Sequence, residues 1–208
     1  MSPVCGIIGA GKLGIALAKA AVARGLEVWI TSRDLASTRL IAAVMAPGTQ
    51  VGTLEEVVAR SALVILALPL HRLGELPADA FDGKVLVDAV NHWEPVDGPM
   101  SRYGVSKDST TELVKSRFPR ARLVKGLNQL GYHDVEDGGR TPGASDRLGI
   151  AVAGDDEGAK QEAMDFIDRL GFDPVDGGSL ADGVRLGPGG PAFGALLSAR
   201  DLRLALGR

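Results

Sequence analysis

The chain has 208 residues, 45% of them hydrophobic and 24% charged, with 28 glycines, few aromatics and a formal charge of −3. That length is in the range of a single domain and can bury a core without staples. The weak negative charge excludes a general attraction to nucleic acid or to an anionic membrane, so any anion must be held by a local site.

The single cysteine, Cys5, excludes a disulfide framework within the chain and suits a reducing compartment. It lies in an apolar run and reads as a buried, inert thiol. The N-terminus has no basic stretch followed by a long apolar one, and no run approaches the ~20 apolar residues of a membrane span. The expectation is a soluble, cytoplasmic protein without a signal peptide.

In chain order, residues 4–8 read as a strand and 12–24 as an Ala/Leu-rich helix, ended by Gly25. A second strand follows at 27–31. Asp34 caps a helix reaching about Met45, closed by Pro47-Gly48. A short helix is expected at 54–60. Residues 63–68 form an apolar run without polar interruption, as in a strand buried on both faces, and 84–88 continue the sheet. Residues 89–108 then show neither period, and a loop of that length is usually functional or disordered. Ser109-Thr110-Thr111-Glu112 has the form of a capping box opening a helix to about Arg117. A strand at 121–126, a second irregular stretch at 128–146, a strand at 148–153, an amphipathic helix at 156–170 and a strand at 172–175 complete the pattern. After a Gly/Pro-rich tail, Phe193, Leu196, Leu197 and Leu204 point to a last amphipathic helix.

Alternating short apolar runs and helices are the signature of βαβ units. The expected fold is α/β, a Rossmann-type doubly wound, mainly parallel sheet with a short C-terminal helical segment. Residues 1–180 form the nucleotide-binding domain and 181–208 a Gly/Pro-rich segment of the same domain. Ligands of such sheets bind beyond the carboxyl ends of the strands. The long loops leave from two of those ends, after Asp88 and Gly126, and the segment after Leu68 leaves from a third.

Gly9-Ala10-Gly11-Lys12-Leu13-Gly14 is a GxGxxG turn. The pattern is weak alone, but here it follows an apolar strand, opens a helix and precedes a second strand at βαβ spacing. Gly9 permits the tight turn, Gly11 lets the backbone approach a pyrophosphate, and Gly14 lets helix and strand pack closely. The helix N-terminus offers free N–H groups to the phosphates. NAD-selective folds end the second strand on an acidic residue; this chain has Thr31-Ser32-Arg33. A hydroxyl followed by a guanidinium suits the 2′-phosphate of NADP, which arginine grips with two parallel charge-assisted bonds. The rival reading is a solvated Arg33, with Asp34 reaching back to a ribose.

These residues resemble the family of NADP oxidoreductases that use the deazaflavin coenzyme F420. The glycine turn with Thr31-Ser32-Arg33 is similar to that family's NADP site, and Ala67-Leu68-Pro69 to the strand end bordering the cofactor. Val124-Lys125-Gly126-Leu127-Asn128, Gly154-Asp155-Asp156-Glu157 and Gly171-Phe172-Asp173-Pro174-Val175-Asp176 resemble further segments, in the family's order. The resemblance implies NADP as cofactor, coenzyme F420 as co-substrate, and direct hydride transfer between the two. It also implies that Ala10 and Leu130 flank the nicotinamide, with Leu68 and Pro69 on the same cleft. Such a reaction needs two flat rings held face to face in a water-poor slot more than it needs acids or bases.

Among residues that carry proton chemistry, His92 and His133 lie on the long loops, with Asn128 near the second of them. Each is a weak catalytic candidate, and the plain reading of each is a solvated loop residue. No His, Cys or acidic grouping has metal-ligand spacing. Trp93 and Tyr103 either stack on a flavin-like ring or pack their loop down. The partners expected are a small-molecule redox co-substrate and a second copy of the chain, with neither nucleic acid nor membrane. Two rival functions stand beside the first: an NADPH-dependent reductase of a small carbonyl or imine, and a non-catalytic NADP-sensing module.

Overall fold

The computed structural model describes residues 4–104 and 110–208. Its centre is an eight-stranded sheet in the order β3-β2-β1-β4-β5-β6-β7-β8. The strands are β1 (Cys5–Ile8), β2 (Val28–Thr31), β3 (Gln50–Val51), β4 (Leu63–Leu66), β5 (Val85–Asp88), β6 (Arg122–Lys125), β7 (Gly149–Gly154) and β8 (Asp173–Gly178). Neighbours run parallel except β6 and β7, which are antiparallel. This is the α/β, mainly parallel Rossmann architecture that the alternation predicts.

The apolar runs are continuous because successive side chains feed two different cores. Ile7, Ile65, Val85, Val87 and Val124 point into one core with helices α1 (Lys12–Ala23) and α7 (Glu157–Leu170). Ile8, Val64, Leu66, Leu86 and Leu123 point into the other, with α3 (Leu54–Arg60) and α5 (Thr110–Arg117). There Phe81 meets Phe118 edge-on, with ring centroids 4.9 Å apart. A smaller third core joins β7 and β8 to Leu186, Leu202 and Leu206.

Several elements differ from the sequence expectation. The apolar run at 63–68 is a strand only to Leu66, because Ala67-Leu68-Pro69 already turns into a 3₁₀ segment, Leu70–Glu75. The first irregular stretch holds a single helical turn, α4 (Glu94–Asp97), and a 3₁₀ turn, Met100–Tyr103. The second holds α6 (Tyr132–Gly138), whose Val135 packs beneath α1. β8 runs past Val175 to Gly178. The last helix, α8, begins only at Ala199 and buries Leu202 and Leu206, whereas Phe193, Leu196 and Leu204 are exposed. Periodicity misses these turns because each is too short to repeat its pattern. Ser109 of the expected capping box lies outside the described residues, and α5 is observed from Thr110.

At the β6–α7 junction, Asp156 caps α7 through the Ala159 amide (2.8 Å) and accepts from Arg122 of β6 at 2.8 and 3.1 Å. Chiefly through that arginine, its carboxyl is held well below the usual carboxylate range. A depressed folded pKa contributes stability above the unfolded value, which is lost as pH falls through the folded one. Thermal melting across acid pH should therefore place Asp156→Asn below the parent at neutral pH, with the two curves converging as the pH falls through the depressed value of the folded state. A gap that persists at the lowest pH would assign the effect to packing instead.

Candidate functional site

The glycine turn leaves β1 with its three glycines in different surroundings. Gly9 has φ +120°, and a Cβ there would lie 2.2 Å from the Ala67 carbonyl oxygen. Its amide donates to the Thr31 carbonyl (2.9 Å), tying the turn to the end of β2. At Gly14 a Cβ would lie 1.9 Å from the Gly9 carbonyl oxygen, so α1 packs against its own entry turn. Gly11 differs from both: nothing lies within 4 Å of its Cβ position. It is the N-cap of α1 and supplies no side chain to the first-turn amides. Open space directly over uncapped N–H groups at a helix N-terminus fits a phosphate group.

That turn is the floor of a cleft of about 570 Å³ at the carboxyl ends of β1, β2 and β4. From β2 and the start of α2 (Leu35–Met45) come Thr31, Ser32, Arg33, Asp34, Ser37 and Thr38. Ala67, Leu68 and Pro69 line it from the end of β4. Ser32 Oγ lies 2.7 Å from Thr38 Oγ1, which fixes the hydroxyl at the rim. Asp34 is engaged in capping α2, accepting from the Ser37 amide (3.0 Å) and from Ser37 Oγ (2.6 Å). The Ser37 bonds lower its pKa, so it stays ionised and turned toward α2. Arg33 is exposed on the rim and makes no hydrogen bond among the described residues.

Two charged cleft residues escape the sequence reading. Arg72 and Glu75, on the 3₁₀ segment after Pro69, line the wall opposite Arg33. Arg72 Nε lies 3.1 Å from both Glu75 oxygens and a terminal nitrogen 2.6 Å from one of them. Arg–Glu at i,i+3 immediately after a strand end was the available signal.

Other expected site residues lie outside this lining. Leu13 and Leu130 are packed into the α1 core, and Gly14 is buried behind the turn. Lys12 places Nζ 5.1 Å from the centre of the Tyr132 ring, and that ring lies against the exposed His133 at 3.9 Å. His92 bonds the Gly98 carbonyl through Nε2 (2.8 Å) and packs edge-on to Tyr103, while Trp93 is exposed. Asn128 is buried. It donates to Asn91 Oδ1 (3.1 Å) and to the Leu186 carbonyl (2.9 Å), and Asn91 donates to its carbonyl (2.8 Å). Leu127 before it has φ +62°, a left-handed conformation at the point where the chain leaves β6.

Two buried carboxylates organise the loops beyond β5. Asp88 accepts from Lys125 (3.2 Å), from Thr111 (3.3 Å) and from the Val90 amide (2.9 Å). Lys125 also donates to the Val90 carbonyl and to Thr110, and burial pulls its pKa down against the opposing pull of Asp88. Asp97 accepts from the Trp93 amide (2.8 Å), the His71 amide (3.1 Å) and His71 Nδ1 (2.9 Å), joining the loops after β4 and β5. No group of His, Cys, Asp and Glu that could hold a metal is found among the described residues, and no helix there is long and apolar enough to cross a membrane.

A glycine turn before an uncapped helix N-terminus on a mainly parallel sheet, with an arginine after the second strand, is the arrangement of a Rossmann-type dinucleotide site. Residues 4–92 match the family model described as NADP oxidoreductase, coenzyme F420-dependent. The metalloreductase STEAP3 of Rattus norvegicus is 29% identical over 182 residues, which are 86% of this chain and 35% of that protein. The chain thus spans about a third of the length of that curated relative. A candidate F420-dependent NADP reductase from Arthrobacter sp. FB24 superposes with a TM-score of 0.69 at 28% identity, over 86% of each chain. A hypothetical protein from Sinorhizobium meliloti superposes with a TM-score of 0.81 over 95% of this chain and 96% of that one; at 24% identity it shares the fold.

Proposed function

We propose that the chain moves a hydride between NADP(H) and a flat acceptor of the deazaflavin type, coenzyme F420. The observation that carries this reading is the open space over Gly11 at the uncapped N-terminus of α1, within a cleft that reaches Arg33. The first-turn amides of α1 take the pyrophosphate, and Ser32 with Arg33 takes the 2′-phosphate. Ala10, Leu68 and Pro69 give the cleft a small, aliphatic wall that excludes water and holds a ring flat. Bound NADPH supplies a hydride, which the acceptor takes up together with one proton from solvent. The chain's task is orientation, worth more here than an acid or base at the reacting carbon.

Arg33→Ala should weaken NADPH binding by about ten- to a hundredfold, the worth of one or two charge-assisted bonds, and NADH binding by less than about threefold. Equal losses for the two dinucleotides would contradict the assignment of Arg33. The function itself is tested by mixing the purified protein with NADPH and oxidised deazaflavin and following the visible absorbance of the acceptor. Bleaching of the deazaflavin with matched oxidation of NADPH is expected. Turnover with a carbonyl, imine or flavin but not deazaflavin would replace the acceptor. Tight NADPH binding without turnover on any of them would make the chain an NADP-sensing module.

A further inference from the structure

We propose that Arg72 is a second guanidinium for the 2′-phosphate of NADP(H), and that Glu75 is its stand-in partner, displaced when that phosphate binds. The inference rests on the NADP reading above and adds to it a residue that follows β4. In the sheet, β2 and β4 flank β1 on opposite sides, so the segments after them form the two rims of the cleft above the glycine turn. Arg33 stands on one rim and Arg72 on the other.

The charge pattern between the rims is unusual for a surface. Arg72 is mostly covered, with a side chain 18% exposed, whereas Glu75 is 48% exposed. The carboxylate is gripped by Arg72 Nε and one terminal nitrogen, while the other terminal nitrogen has no partner among the described residues. Arg72 first, then Arg33 and His71 more weakly, hold the Glu75 carboxyl below its ordinary range against the opposing effect of burial. Two guanidiniums thus act on one half-exposed carboxylate inside a cleft built for an anion.

An i,i+3 ion pair whose carboxylate is half-exposed contributes modestly to folding, and a phosphate in the same place would replace its bonds to Arg72. A phosphate monoester carries close to two charges and three acceptor oxygens, against one charge and two oxygens for the carboxylate. It therefore wins the competition for the two guanidiniums and turns Glu75 outward. Glu75 keeps the paired arginines from repelling each other before the cofactor arrives. It also acts as a built-in competitor that sets how tightly NADP(H) is held.

The test is calorimetric titration of the intact chain with adenosine 2′,5′-bisphosphate and 5′-AMP, together with NADPH and NADH, on the parent and three variants. Arg72→Ala should weaken the bisphosphate and NADPH about tenfold, with AMP and NADH changed by less than about twofold. Arg72→Lys should recover part of the loss, because it keeps the charge without the bidentate fork. Glu75→Gln should tighten NADPH about three- to tenfold by removing the competitor, and this variant keeps the inference testable should Arg72→Ala fold poorly. Equal losses for bisphosphate and AMP would place Arg72 against the adenine and overturn the proposal. Weaker NADPH binding in Glu75→Gln would give Glu75 a direct ligand contact and overturn it as well. A parent chain that binds none of the 2′-phosphorylated ligands would instead remove the NADP reading beneath it.

Discussion

Gly14→Ala is expected to destabilise the chain by about 3 kcal/mol or more and to abolish NADPH binding. Its Cβ would lie 1.9 Å from the Gly9 carbonyl oxygen, a backbone atom in a turn that is itself tied to β2. No rotamer relieves such a contact, so α1 must lift from β1 and carry the first-turn amides away from the phosphate position. Gly11→Ala is the matching control. Nothing lies within 4 Å of its Cβ, so the fold should be retained, with a loss within about 1 kcal/mol for exchanging an N-cap glycine for alanine. The added methyl nevertheless fills the space over the amides, and NADPH affinity should fall by more than about tenfold. Urea unfolding and NADPH titration on both variants separate the two effects. Full NADPH affinity in Gly11→Ala would mean that the pyrophosphate does not sit on this turn.

Lys125→Met should cost about 3–5 kcal/mol, the usual consequence of stranding one member of a buried ion pair. Lys125 and Asp88 stand in register at the ends of β6 and β5, both almost fully buried. Removing the ammonium leaves the Asp88 carboxylate, among the described residues, with the Thr111 hydroxyl and the Val90 amide. It also removes the Lys125 bonds to the Val90 carbonyl and to Thr110, which then keep only their bond to each other among the described residues, so the loop that carries Asn91 and His92 is held less firmly. Asp88→Asn combined with Lys125→Met should regain a substantial part of the loss, because no unpaired charge then remains. Two single losses that simply add in the double variant would show that the pair is not coupled.

The fold was legible in the sequence because its strands are short, continuous apolar runs separated by helices with clear caps. Asp34 and Asp156 mark the starts of α2 and α7, and both side chains accept the amide three residues on. The glycine turn was legible for the same reason: three positions with different steric demands fall at a fixed spacing. Residues that depend on chain reversals were not. The chain leaves β6 through Leu127 at φ +62°, a conformation that leucine does not announce. Leu130, expected beside the nicotinamide, is apolar and adjacent to α6, and nothing local distinguishes a core position from a cleft wall. Arg72 and Asp97 escaped notice because their roles are set by partners on other segments. Arg72 faces Arg33 across the cleft, and Asp97 meets His71 from a different loop. A single helical turn after a proline-containing loop has no period to read.

The most direct test of the NADP site is phosphorus NMR of bound NADP⁺ as a function of pH. The free 2′-phosphate dianion takes up a proton near pH 6, within about a unit. Held by Ser32, Arg33 and Arg72, it should stay dianionic to at least about one pH unit lower, and that shift should shrink in Arg33→Ala. A bound 2′-phosphate that titrates like the free one would contradict the site.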